Sequence, residues 1–398
     1  MIDNLKQLPT FVLHGSADDN VPVSEARLML DALTAAGAKP GSHLEDGAGH
    51  WWDGDAAPGA DCVDWPAIFE LFRASVRPAR VDRVSFTSQD PSAQASCDWV
   101  HAQQLERYGE PFRVDAAWDP TTRSGTVTTS NVARLQLRTP DLADVAAWKI
   151  DGTATTAAER GGRDQWFELV DGSWRPTGRN SFPAPGESWS LLDKVDVGTW
   201  SSGPGPFKRA FDHQFVLVYG TQGTAAETRE LLDRARYDAA HWWYRANGRA
   251  LLVSDSEWLA EHRFRELLGN DLDLSHLDPD MNVLLYGNRD SNAAWAELVP
   301  TDAPFDAAHG KLRLGDQLFE GDALGACVVL PRRYAGLVGL FADTGARGAR
   351  LGYALAHFIS GVGYPDYALF DATILTAGDG GVLAAGFFDV QWRLQPAR

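Results

Sequence analysis

Six short runs between residues 83 and 174 restrict the fold more than anything else in the chain. "RVSFTS", "RVDAAWD", "GTVTTS", "ARLQLRT", "AWKIDGT" and "WFELVDGSW" are alternating or β-branched. Asp-Gly, Pro and Asn signals separate them, a spacing that belongs to an antiparallel sandwich or barrel. Asp151-Gly152 and Asp171-Gly172 are expected as tight hairpin turns. This β-rich stretch is flanked on both sides by a different texture.

Before it, "PTFVLHG" reads as a buried strand ending in glycine. "SEARLMLDALTAAG" follows as a helix, with Ser24 as N-cap, Leu28, Leu30 and Leu33 as its apolar face, and Gly37 as its stop. "SHLEDGAGH" is a second strand entering a Gly-rich loop, and "DWPAIFELFRASV" a second helix with Pro66 near its start. Strand, helix, strand, helix implies a parallel α/β layer. After the β-rich stretch, "QFVLVYGTQG", the long helical run from Ala225, "ALLVSD" and "NVLLYGNRDSNAAWAEL" restore that texture. "LGACVVLPR", "GLVGLFADTG" and "PDYALFD" add strands, so the last part reads as an open α/β sheet. "RPARVDR" and "SSGPGPF" mark the joints. The expected units are residues 1–77, 81–206 and 208–398, in keeping with about 150 residues per domain.

A net charge of −18 repels nucleic-acid phosphates and anionic lipid, so neither is expected as a partner. No apolar run reaches the roughly 18 residues of a membrane span, and the first residues lack the pattern of a signal peptide. The compartment is left open. Cys62, Cys97 and Cys327 form no zinc or CxxC pattern. HExxH-type spacing is absent, so no metal and no cofactor is expected. "AEHRFREL" around His262 reads as a solvated helix. "YGTQG" and "YGNRDSN" lack phosphate-loop spacing and read as ordinary strand-to-helix turns. Seven of the fifteen tryptophans fall between residues 99 and 200. They read chiefly as core, with a sugar-stacking platform as the lesser alternative.

The chemistry concentrates near the start. In an open parallel sheet, the loops at the carboxyl ends of the strands converge. The first strand ends in "HGSADDNVP" and the second in "EDGAGHWW", which puts Asp18 and His50 on adjacent loops. A carboxylate there can hold one imidazole nitrogen as N–H and leave the other as a base. Trp51 and Trp52 either line a substrate pocket beside His50 or plug the loop against the sheet. His14 reads as structural, and Ser16 and Ser360 as turn serines.

"HGSADDNVP" followed by "GAGHWW" resembles the C-terminal part of the catalytic domain in prolyl oligopeptidase-type serine peptidases, a branch of the α/β-hydrolases. The resemblance covers about residues 8–76. It implies that Asp18 orients His50, with Asp19 only a neighbour. The later regions, including "SGVGYPDY", resemble the long tail of some large bacterial members. The fold class so implied is α/β plus all-β: a partial α/β-hydrolase layer, an antiparallel β-sandwich-like middle domain and a C-terminal open α/β sheet.

The family order is Ser, Asp, His, yet no Gly-x-Ser-x-Gly occurs in the sequence. In "FISGVGY", Phe358 stands where the first glycine should be. The resemblance therefore implies a chain that starts after the nucleophile strand, with triad Asp and His but no nucleophilic Ser. Loss of that group costs about 10⁶ in kcat, so the isolated chain is expected to be inactive. Its α/β layer is expected to be half a sheet with an exposed edge. The substrate implied is a peptide or ester bond, and the resemblance implies an exported parent. The alternative is a non-catalytic binding module for carbohydrate or protein, built on the β-sandwich and the α/β tail.

Overall fold

The computed structural model describes residues 2–54, 61–91, 93–138, 147–156, 164–178, 206–212, 214–260, 281–332 and 336–396. The expected helix around His262 and most of the expected joint at 201–207 lie outside them. The chain is mixed α/β with five sheets among the described residues.

The first sheet has two strands, β1 (Phe11–Gly15) and β2 (Gly41–Glu45). They pair in parallel, from Phe11 opposite Gly41 to Gly15 opposite Glu45. Helix α1 (Val23–Ala35) connects them, and α2 (Pro66–Ala74) follows. Ser24 does not cap α1; Pro22 is the N-cap and makes no side-chain cap bond. Proline's fixed φ and missing N–H suit the residue that ends the preceding turn and starts a helix, so Ser24 falls inside the first turn. Gly37 leaves the helix at φ +88°, as the sequence suggests. The expected apolar face of α1 is only partly covered: Leu33 is buried, but Leu28 is 65% exposed and Met29 is exposed. Helix α2 has no buried residue, and Phe69 and Phe72 face solvent.

Ten strands follow: β3 (Arg83–Ser88), β4 (Ser96–Cys97), β5 (Val100–Gln104), β6 (Phe112–Asp119), β7 (Ser124–Ser130), β8 (Arg134–Arg138), β9 (Ala147–Ile150), β10 (Thr153–Thr156), β11 (Asp164–Val170) and β12 (Ser173–Thr177). They form two five-stranded sheets, ordered β10-β9-β7-β6-β3 and β12-β11-β8-β5-β4. Strand β6 shows why: Phe112, Val114, Ala116 and Trp118 alternate inward while their neighbours turn outward. Inward residues of both sheets, among them Phe86, Val114, Leu135 and Phe167, join one buried cluster. Both Asp-Gly pairs turn hairpins with positive φ at each residue: Asp151 +47°, Gly152 +85°, Asp171 +51°, Gly172 +73°. That backbone matches the twist of the strands it joins. One pairing departs from the antiparallel expectation: β7 and β9 run parallel. Trp99, Trp118, Trp148 and Trp174 are buried in the same cluster. These four are core, as expected, and form no sugar-stacking face themselves; Trp166 is half-buried, and Trp189 and Trp200 lie outside the described residues. The flat indoles fill the space between the sheets instead.

The last part has a seven-stranded sheet built from β13 (Phe215–Tyr219), β14 (Leu251–Ser254), β15 (Asn282–Tyr286), β19 (Leu324–Pro331), β20 (Leu337–Asp343), β21 (Tyr367–Asp371) and β22 (Val382–Gly386). Its order is β14-β13-β15-β20-β19-β21-β22. The first four strands are parallel, and β19, β21 and β22 pair antiparallel. Helix α3 (Ala225–Ala246) starts at Thr224, whose side chain accepts the Glu227 N–H, and ends at Asn247 in the left-handed region. Every residue of β15, β19 and β20 is buried, as continuous apolar runs require. An antiparallel three-stranded sheet, β16 (Phe305–Ala308), β17 (Lys311–Leu314) and β18 (Gln317–Glu320), is inserted before β19.

The two buried clusters share no residue, and no residue of the first 80 belongs to either. Phe387 and Val390 of the last part pack against the cluster of the two five-stranded sheets, and polar contacts also join the parts. The Asn4 side chain donates to Thr87 O and accepts the Thr87 N–H, pairing with β3 as a strand would. Gln395 donates to the carbonyls of Tyr108 and Phe387. All three cysteines are free, and burial pushes the Cys327 thiol up to about 12.

Candidate active site

Parallel pairing brings the carboxyl ends of β1 and β2 level, so the loops after Gly15 and Glu45 leave side by side. They are laced together at once: Ser16 N–H donates to Glu45 O and Ala17 N–H to Ala48 O, each at 2.8 Å. Gly15 permits this approach. A Cβ there would lie 2.3 Å from Gly49 O and 2.5 Å from Ala48 O, closer than any side chain tolerates. The Ser16 hydroxyl accepts the Gly47 N–H at 2.7 Å and donates to Asp46 at 3.1 Å.

Across this junction Asp18 and His50 meet. Asp18 Oδ2 lies 2.9 Å from His50 Nδ1. Asp18 Oδ1 accepts the N–H groups of Asn20 and Val21 at 2.8 and 2.9 Å. This is the Asx turn that the "DDNVP" pattern favours. The Asp18 side chain is 4% exposed and that of His50 is 35% exposed. The Val21 N–H, the His50 contact and the Asn20 N–H together outweigh burial and hold the Asp18 carboxyl at about 2. Asp18 is therefore an ionised acceptor at neutral pH. A carboxylate facing Nδ1 selects the tautomer protonated there, which leaves Nε2 as an acceptor. Among the described residues, none makes a hydrogen bond to His50 Nε2. The arrangement can take a proton at Nε2 and stabilise the resulting imidazolium.

Asp19 makes no hydrogen bond or ion pair with His50. His14 supports the turn from below: its Nε2 lies 2.8 Å from Val21 O and 3.5 Å from Asp18 Oδ2. The sequence suggests a structural His14 but not this pairing, which needs knowledge of how the turn folds back. Trp51 is 72% exposed and stands edge-on to His50 with ring centroids 5.4 Å apart. Trp52 is half-buried, and its indole N–H has no partner among the described residues. Among the described residues, no group of three or more His, Cys, Asp or Glu is placed to hold a metal ion, and no helix is long and apolar enough to cross a membrane.

The family model described as the prolyl oligopeptidase family matches residues 1–61, which contain both members of the pair. That match supports a relationship to the prolyl oligopeptidase family of hydrolases. A protein of Arthroderma benhamiae described as an uncharacterized secreted protein is 22% identical over 428 residues. The alignment covers 100% of this chain and 40% of the relative, so the chain spans about 40% of that relative's length. No solved structure matches the chain.

Proposed function

We propose that Asp18 and His50 are the orienting acid and the general base of a serine-type hydrolase of the prolyl oligopeptidase kind, acting on a peptide or ester bond. The observation that carries this reading is the 2.9 Å contact between an ionised, twice-anchored carboxylate and an imidazole on the next strand end. His50 Nε2 would take the proton of an attacking hydroxyl. Asp18 would hold the Nδ1–H and stabilise the imidazolium, and Nε2 would then return the proton to the leaving group.

On our reading the nucleophile lies outside these 398 residues; the lack of a Gly-x-Ser-x-Gly and the engagement of the Ser16 hydroxyl by Asp46 and Gly47 support this. On this reading the residues shown here carry acid and base alone and do not turn over substrate by themselves. The reading also divides the chain into the C-terminal part of a catalytic layer (1–77), a β-sandwich-like unit (81–206) and an α/β accessory unit (208–398). The separate buried clusters support the second boundary.

Fluorophosphonate labelling of the polypeptide expressed from its own gene tests the proposal. The expected label sits on a serine outside residues 1–398 and disappears in His50→Ala. Label on Ser16 or Ser360, or label that survives His50→Ala at full rate, would overturn it.

A further inference from the structure

The turn that aims the Asp18 carboxylate needs an anchor of its own. Asn20 and Val21 reach Asp18 Oδ1 with their N–H groups at 2.8 and 2.9 Å, but these bonds are local. They tie the carboxylate to the limb formed by Asp19, Asn20 and Val21, and leave that limb untied to the sheet. The backbone bonds to the second loop stop at Ser16 and Ala17, which donate to Glu45 O and Ala48 O. Beyond Pro22 the chain enters α1. Among the described residues, the hydrogen bond that ties the limb back to β1 comes from a side chain, that of His14.

Three features suit His14 to this task. It belongs to β1, whose pairing with β2 from Phe11 to Gly15 fixes its backbone. Its Nε2 lies 2.8 Å from Val21 O. A carbonyl only accepts, so Nε2 carries the hydrogen and donates it. Val21 precedes a proline, which restricts it to extended conformations and so narrows the direction of that carbonyl. Finally, His14 Nε2 stands 3.5 Å from Asp18 Oδ2. Its N–H is already given to Val21, so this is packing contact, and it limits how far the carboxylate can rotate. Oδ2 then has one imidazole nitrogen against it at 3.5 Å and its bonding partner, His50 Nδ1, at 2.9 Å. The His14 side chain is 13% exposed and that of Asp18 4%, so little water reaches the contact.

We propose that His14 is a positioning residue of this site: by holding the Val21 carbonyl it keeps the Asn20 and Val21 N–H groups, and through them the Asp18 carboxylate, in register with His50 Nδ1. His14 acts through Asp18 and carries no proton of the reaction. The two imidazoles hold opposite tautomers, Nε2–H at His14 and Nδ1–H at His50, because one faces a carbonyl with Nε2 and the other a carboxylate with Nδ1. The inference rests on the reading of Asp18 and His50 as acid and base, and adds the residue that keeps them aligned.

The test is nitrogen-15 histidine NMR of the full chain at mildly alkaline pH, where long-range correlations report which ring nitrogen carries the proton. The parent chain is expected to show His50 as the Nδ1–H form and His14 as the Nε2–H form. His14→Phe keeps a ring and removes the donor. His50 should then become a mixture of tautomers, and its Nδ1–H should exchange with water about tenfold faster or more. His14→Gln, whose amide can donate in place of Nε2–H, should restore most of the bias. In both variants the Ser16 and Ala17 amides should stay as protected as in the parent, since their bonds to the second loop do not involve His14. In the polypeptide that carries the nucleophile, His14→Phe is expected to lower kcat by about 100-fold with KM little changed, the cost of a misplacement near 1 Å.

An unchanged His50 tautomer in His14→Phe would overturn the proposal, as would a failure of His14→Gln to restore it. So would loss of protection at Ser16 and Ala17 in step with the change at His50, which would assign His14 to the folding of the junction alone. A parent chain in which His50 lacks the Nδ1–H form would instead overturn the acid–base reading itself, and is seen before any variant is made.

Discussion

Asp18 touches His50 with one carboxylate oxygen and its own turn with the other. Oδ2 faces the imidazole at 2.9 Å, and Oδ1 takes the two backbone N–H groups of Asn20 and Val21. The acid is therefore aimed by the backbone, not by the imidazole. Asp18→Asn should leave the turn formed but present the wrong partner to Nδ1. In the polypeptide that carries the nucleophile, kcat is expected to fall by about 10⁴ with KM little changed. Steady-state kinetics on a chromogenic ester would read this.

The same carboxylate should mark the acid limb of the stability curve. Its pKa is lowered to about 2 in the fold, so the unfolded chain binds the proton more readily. The stabilisation is complete above the unfolded value of about 3.9 and is lost as pH falls through about 2. Urea midpoints of residues 1–77, followed by hydrogen exchange between pH 5 and 2, should fall less steeply in Asp18→Asn than in the parent.

Asp343 works in the opposite direction. It is buried at the end of β20; its Oδ1 accepts the N–H of Gly345 and the side-chain amide of Asn288, and Oδ2 has no partner among the described residues. Burial, reinforced by the charge of Glu227, pushes its carboxyl from 3.8 up to about 7. The fold thus keeps a proton that the unfolded chain releases. Stability is highest below about pH 4 on this account and declines until pH passes about 7, by an amount of order 4 kcal/mol. Asp343→Asn should flatten that decline in denaturant titrations of the full chain.

Trp148 sits between Trp99 and Trp118, with ring centroids 5.8 and 5.4 Å away, and its indole N–H donates to Gln165. Trp148→Ala should destabilise the two five-stranded sheets by about 3–5 kcal/mol. A shift of the urea midpoint at constant slope would show it. Phe72→Ser makes the contrast: the ring is 65% exposed, so stability should change by no more than about 0.5 kcal/mol while binding of an apolar dye drops.

Local signals carried well from sequence to structure where a residue's own backbone decides the outcome. The two Asp-Gly turns needed positive φ and got it, and Gly37 stops the first helix as expected; the start of that helix differs, with Pro22 as N-cap instead of the Ser24 that the sequence suggests. Asp18 and His50 were legible because a strand–helix–strand unit brings its two strand ends level. The parallel pairing of β7 with β9 was not, since alternation tells which face a residue takes and nothing of its neighbour strand. Helix α3 hid more. Arg234 and Asp238 look like solvated helix charges four apart, yet they are buried together at 2.6 Å, with Tyr286 donating to the same carboxylate at 2.9 Å. Their partners come from a strand some fifty residues away, which no local window contains.

Gly15 has nothing to react with, and still the spacing of acid and imidazole depends on it. Put a methyl group there and the second loop must retreat, carrying its histidine along. A chain altered in this way would keep both side chains in its sequence and lose the contact between them. An inventory of its titratable side chains would pass it as intact.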